Sequence, residues 1–410
     1  MHLDTTPPTL PGRSAGHALA RFSACALAAA LSLAAGLPAQ ALPRAAAATT
    51  PSTLQKALDE LQAKSTLPGY CVAVVDRAGV RYAKGFGYAD LASKRPYTPD
   101  TVQPVASIAK PVLAVALMQQ VQIGALSLDT DVSRQLPFDV HNPHYASSAI
   151  TLRQLATHSS GIVDREPFYT QSYGKGTPAS FDTRSLLKAY LEPMGASYNE
   201  ANFARTAPGS TYRYSNLGSA LVALAVEYKA GSPYRMVTRE RIFQKLGMNA
   251  TGWTPSDTQG PQATLYDKNK KPLAPYSFPS YAASGLYSSC NDVGKFLAEM
   301  ISGYGGRAGL LSAASYKTMF GPAWPKGEQP KGVRAGDGLD QGLFWQRTAG
   351  GELGHNGGDA GVTVQMSFNP TTGTGRVLIT NISDGDRADV ARELANLWQV
   401  LGKFEQNPDP

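Results

Sequence analysis

"PVASIAKPVLAVAL", Pro104 to Leu117, marks the point where the character of the chain changes. Ahead of it, "YCVAVVD" (70–76) and "VRYAKGFGYAD" (80–90) are β-like runs separated by "RAG", the pattern of a hairpin. From it onward, apolar residues run on as a helix. Ser107 and Lys110 stand three apart at the entrance, so on a helix they lie one turn apart on one face. A lysine so placed can take the proton of the serine hydroxyl and make it a nucleophile. The spacing alone is weak evidence, because serine is an ordinary N-cap. Ser172 with Lys175 and Ser185 with Lys188 repeat it.

Working outward, the far end of the chain mirrors the near end. "GVTVQMSFNP" (361–370) and "GRVLITNIS" (375–383) are β-rich and joined by a glycine-containing turn, a second hairpin. "TLQKALDELQAK" (53–64) and "DVARELANLWQVLGKF" (389–404) are helical runs outside the two hairpins. The stretch between is mostly helical. "TLRQLATH" (151–158) carries a Thr151/Gln154 capping box. "NLGSALVALAVEYKAG" (216–231), "RMVTRERIFQKLGM" (235–248) and "NDVGKFLAEMISG" (291–303) follow, the last with an Asn/Asp start. Strands at both ends and helices in the middle predict an α+β fold: one antiparallel sheet from both chain ends, flanked by helices. The expected domain covers 53–405, with an α/β lobe at 53–104 and 300–405 and a mostly helical inserted lobe at 105–299. A ligand site belongs between the lobes.

At 410 residues, 42% hydrophobic and 17% charged, the chain reads as globular. Its N-terminus has the layout of a secretory signal: Arg13 and Arg21, then "FSACALAAALSLAAGL", then the small-x-small site Ala39-Gln40-Ala41. Residues 1–41 are therefore expected to be a signal peptide and 42–52 a linker, with the domain exported to a periplasm or the medium. No apolar stretch reaches the roughly 20 residues of a membrane span. The formal charge of +7 is scattered, with no basic block, so no nucleic-acid partner is expected. Cys71 and Cys290 remain beyond the signal. An exported chain can bridge them, but Cys71 opens an apolar run where buried free thiols are common, and the pairing stays open. His141 and His144 in "HNPH" lack an evident third ligand, so neither a metal nor another cofactor is expected.

Two further stretches carry chemistry. Tyr214-Ser215-Asn216 stands at the start of the 216–231 helix, offering a phenol and an amide close together, with Asn216 also the expected cap. A phenol with a pKa near 10 is a poor base unless a nearby cation lowers it. "ELGHNGGDAGVTVQMSF" places His355-Asn356-Gly357-Gly358 at the entry to a strand, where glycines mark close backbone approach. An amide there can face a developing oxyanion.

Ser-x-x-Lys, Tyr-x-Asn and a (Lys/His)-x-Gly strand, in that order, resemble the serine β-lactamase and penicillin-recognising family. The likeness is to the branch of class C β-lactamases, DD-carboxypeptidases and esterases. "TLRQLATHSSGI", "PGSTYRYSNLGSALVALAVE" and "ASGLYSSCNDVGKFLAEM" are similar as well, and the likeness runs from about 53 to 400. It implies a β-lactamase/transpeptidase-like fold and acyl transfer through a serine ester. Ser107 would be acylated, Lys110 would share its proton, and Tyr214 would be the general base. Asn216, His355, Asn356, Gly357 and Gly358 would bind substrate, with the amides of Ser107 and Gly358 as oxyanion hole. His158 in "ATHSSG" falls in a structural turn. Histidine is a weaker carboxylate anchor than lysine. Its place in the third motif favours hydrolysis of an ester or amide, D-amino-acid peptides included, over efficient β-lactamase action. A β-lactamase, an acyltransferase and a non-turnover penicillin-binding sensor use the same residues and remain alternatives.

Overall fold

The computed structural model describes residues 53–176, 181–277, 279–324, 327–333, 341–348, 350–385 and 387–405. The expected signal (1–41) and linker (42–52) lie outside the described residues.

Seven strands form one antiparallel sheet. They are β1 (Gly69–Asp76), β2 (Gly79–Asp90), β3 (Arg95–Pro96), β4 (Gln346–Arg347), β5 (Leu353–Asp359), β6 (Val362–Asn369) and β7 (Thr374–Thr380). Their order is β3-β2-β1-β7-β6-β5-β4, so the two hairpins meet in the middle, where Val72 faces Leu378 and Ala73 faces Val377. The strand "YCVAVVD" is central and apolar throughout, because both of its faces are covered. Tyr70, Val72 and Val74 pack under the terminal helices α1 (Thr53–Gln62) and α5 (Ala388–Glu405), against Leu54, Leu58, Leu394 and Leu397. Cys71, Ala73 and Val75 alternate to the opposite face and join the large core below. Cys71 and Cys290 are free, buried thiols in contact with each other.

Three helices position the site on that second face: α2 (Ala109–Gln122), α3 (Asn216–Ala230) and α4 (Cys290–Tyr304). Residues 109–120 of α2 and 217–226 of α3 are all buried. Helices apolar on every side belong in an interior, and these two pack on each other. α4 packs on β1, β2 and β7. The expected lobe edge at 299/300 falls inside α4; the amphipathic pattern of "NDVGKFLAEMISG" showed a helix without showing that its apolar side lies on the sheet. Its cap is Ser289, whose Oγ accepts from the Asp292 amide, rather than the Asn/Asp pair. Among the described residues no helix is long and apolar enough to cross a membrane.

Candidate active site

Ser107 lies in a single 3₁₀ turn, Ala106–Ile108, at the mouth of α2. A short strap holds the turn. Val102–Pro104 pairs with Tyr287–Ser289, and the Val105 amide donates to the Leu286 carbonyl at 2.8 Å. Ala106 takes a φ of +48°, a left-handed conformation that an alanine adopts only under constraint. Pro111 is the third residue of α2, where a backbone N–H has no partner within the helix in any case.

The other wall is β5. Beyond Gly354 no strand among the described residues lies beside its outer edge, where β4 pairs with Leu353 and Gly354. That edge rests on the Ser107 turn. A Cβ on Gly357 would stand 2.5 Å from the Val105 carbonyl oxygen and 3.2 Å from the Ser107 amide nitrogen. Only glycine permits this approach.

Four expected residues meet in one hydrogen-bonded group. The Lys110 ammonium nitrogen is fully buried, 3.2 Å from Ser107 Oγ, 2.7 Å from Asn216 Oδ1 and 2.9 Å from the Ala283 carbonyl. The Tyr214 hydroxyl is 2.9 Å from Ser107 Oγ, and Lys110 Nζ lies 4.7 Å from the centre of the Tyr214 ring. Burial pushes the Lys110 amine down to about 7. Burial pushes the Tyr214 phenol the other way, above its usual range. The lowering expected from a lysine cation is absent because desolvation disfavours the phenolate more strongly than its neighbours favour it.

The third motif divides. His355 and Gly357 share the face of β5 that looks onto the Ser107 turn; Asn356 alternates to the other face and is exposed, outside the group. Gly358 is exposed, with open space where a side chain would be. His355 is 4% exposed and its ring centre is 6.4 Å from that of Tyr214. Nδ1 donates to the Asn356 carbonyl at 2.6 Å, which leaves Nε2 as an acceptor. Burial, reinforced by Lys110, pushes the imidazole down to about 3. The histidine expected as a weak carboxylate anchor is therefore a neutral one.

Two residues outside the expected set hold this group in place. Asp164 accepts from Ser215 Oγ at 2.6 Å and from the Asn216 and Leu217 amides at 2.6 and 3.1 Å. A carboxylate at a helix N-terminus is favourable, and this one fixes the residue that holds Lys110. Burial lifts its pKa, against the pull of those donors. Ser215, not Asn216, is the cap of α3; its Oγ accepts from the Gly218 amide. His158 grips Tyr214 from both sides in sequence. Its carbonyl accepts from the Arg213 amide at 2.7 Å and its Nδ1 from the Ser215 amide at 3.3 Å. Its ring lies 4.2 Å from the Tyr214 ring, and its φ is +54°. Burial holds it neutral. The only sequence signal for either residue was the "THSSG" turn, and spacing does not connect it to Tyr214.

A sequence-family model described as Beta-lactamase matches residues 54–397. The chain belongs to the β-lactamase family. It is 27% identical over 203 residues to the D-alanyl-D-alanine-carboxypeptidase/endopeptidase AmpH of Escherichia coli (strain K12), covering 50% of each chain. It is 28% identical over 236 residues to esterase EstB of Burkholderia gladioli, covering 55% of this chain and 57% of the relative. The chain thus matches about half the length of these curated relatives. Among solved structures it resembles a β-lactamase/D-alanine carboxypeptidase from Yersinia pestis, with a TM-score of 0.65 and 21% identity over 86% of this chain and 98% of that one. That likeness establishes the β-lactamase/penicillin-binding-protein fold.

Proposed function

We propose that the chain is an exported serine hydrolase that cleaves an ester or amide through an acyl-enzyme on Ser107. The supporting observation is the set of neighbours around Lys110. Two of its three contacts, Asn216 Oδ1 and the Ala283 carbonyl, can only accept; the third is a hydroxyl. A neutral amine has two N–H bonds and one lone pair. It satisfies both carbonyls and turns its lone pair to the Ser107 hydroxyl. With a pKa of about 7, that neutral form is well populated near neutral pH.

The steps follow from this arrangement. Lys110 takes the hydroxyl proton as Ser107 Oγ bonds to the substrate carbonyl carbon. The oxyanion faces the amides of Ser107 and Gly358. As the tetrahedral state collapses, the leaving group takes a proton from the Tyr214 hydroxyl, which regains one from the Lys110 ammonium. A water then enters and the sequence repeats, releasing the acid and restoring Ser107. A neutral His355 offers no cation to a substrate carboxylate. This favours esters and amides over β-lactams, which carry such a carboxylate. Export rests on the signal layout of residues 1–41 and is checked by the N-terminal mass of the protein recovered outside the cell, expected to begin near residue 42.

The test is a fluorophosphonate probe with a panel of p-nitrophenyl esters, D-amino-acid p-nitroanilides, D-Ala-D-Ala peptides and a chromogenic cephalosporin. Wild type is expected to label, to turn over esters or anilides faster than the cephalosporin, and to lose both properties in Ser107→Ala. A label that never turns over indicates a sensor, and product that forms only with an added alcohol or amine indicates an acyltransferase.

A further inference from the structure

One carboxylate at the site has no role in the chemistry above. Asp359 ends β5 on the same face as His355 and Gly357, two residues past the glycine that touches the Ser107 turn. At about 3.3 Å per residue, its Cα is roughly 7 Å along the strand from that contact. The carboxylate accepts from the Ala360 amide at 2.8 Å and the Tyr173 hydroxyl at 3.4 Å. The Tyr276 hydroxyl lies beside it and beside the Ala360 carbonyl. The Tyr173 and Tyr276 rings stand 6.0 Å apart between centres, and Tyr169 meets Tyr173 edge-on at 5.8 Å. Among the described residues no lysine, arginine or histidine pairs with Asp359. Lys110 is near enough to act on it electrostatically, but its amine is committed to three other contacts.

We propose that Asp359, with Tyr173 and Tyr276 beside it, is a subsite for a protonated amine on the substrate. This rests on the serine-hydrolase proposal and narrows its substrate class to amides and esters that bear an ammonium group near the scissile carbonyl. A half-buried carboxylate without a counter-ion is costly, and a cation supplied by the substrate relieves that cost. Aromatic faces add attraction for the same cation. Burial lifts the Asp359 carboxyl above its usual range, as it does for a charge short of a partner.

The test compares p-nitroanilides in ammonium and methyl pairs of equal shape: D-alanyl against 2-methylpropanoyl, and β-alanyl against butanoyl. Wild type is expected to favour the ammonium member of at least one pair by about tenfold or more in kcat/KM. Asp359→Asn, which keeps the shape and still accepts from Tyr173, is expected to bring that ratio to within about threefold of one. A wild-type ratio near one in both pairs overturns the proposal, and so does a preference that survives in Asp359→Asn. Turnover of none of the four overturns it as well; a fluorophosphonate label on Ser107 in that case shows that the amine subsite is at fault, and absence of the label shows that the serine proposal is.

Discussion

Ser107 with Lys110 and Ser185 with Lys188 have the same spacing at a helix start, and they end in opposite environments. Lys110 is fully buried among three polar contacts, and the loss of water draws its amine down to a pKa of about 7. Lys188 sits on the helix Thr183–Leu191 with 46% of its side chain exposed, paired at 3.5 Å with Glu192. The Ser185 amide donates to the Asp182 side chain, which caps that helix. The first pair lies at the seam of two buried helices and a strand edge; the second lies on a solvated face. What separates a nucleophile from a surface serine is therefore the water removed from the lysine and the two carbonyls turned towards it.

The strongest break of this comparison is Ser107→Ala, expected to lower ester hydrolysis by roughly 10³-fold or more and to abolish fluorophosphonate labelling. Ser185→Ala is expected to do neither. Lys110→Met comes next, with a loss of about 10²–10⁴-fold if the lysine is the base. Wild-type kcat/KM should rise as pH increases through about 7, because the active form is the one that has lost its proton. His355, held near 3, and His158, held well below its ordinary value, contribute no step of their own between pH 5 and 8. A profile flat from pH 6 to 8, with chemistry limiting, removes Lys110 as the titrating base.

Gly357→Ala probes the seam itself. Its Cβ would meet the Val105 carbonyl at 2.5 Å, so strand and turn must part. Overpacking of this kind costs about 1–3 kcal/mol, and a displacement of about an ångström at the nucleophile can cost about 10²-fold in rate. The check is a thermal melt beside kcat/KM: a large fall in rate with a small fall in Tm is expected. His158→Phe removes the acceptor of the Ser215 amide while keeping an aromatic ring against Tyr214. A loss of about tenfold in kcat with KM little changed is expected, in line with a lost hydrogen bond of about 1.5 kcal/mol. An unchanged kcat shows that ring packing alone positions the phenol.

The parts of this site that were legible in the sequence are those written in local spacing. Ser107 and Lys110 lie one turn apart, Tyr214 and Asn216 flank a helix cap, and the hairpins at both chain ends were visible from alternation and glycine. What stayed hidden depends on burial and on long-range contact. Asp164 acts on residues 51 to 53 positions away. The neutral state of His355 and the raised phenol of Tyr214 arise from lost solvent, which no motif records. α4 was legible as a helix, but its partner is β1, more than two hundred residues earlier. Asn216 was the natural cap by residue type, yet the serine before it takes that place, which leaves the amide side chain to hold Lys110.

The smallest expected effect sharpens the comparison most. Lys188→Met breaks one i,i+4 pair on an exposed face. Such pairs contribute about 0.3–0.5 kcal/mol, and a lysine preceding its glutamate is the less favourable order. Stability should therefore fall by about 0.5 kcal/mol or less in a denaturant titration, with kcat/KM unchanged. Lys110→Met makes the same chemical change where the amine is wholly enclosed. It should cost orders of magnitude in rate, since the Asn216 and Ala283 carbonyls lose their donor and Ser107 loses its base. If the two substitutions gave comparable losses of activity, burial could not be what distinguishes the two serines, and the chemistry assigned to Lys110 would have to come from another group in contact with Ser107.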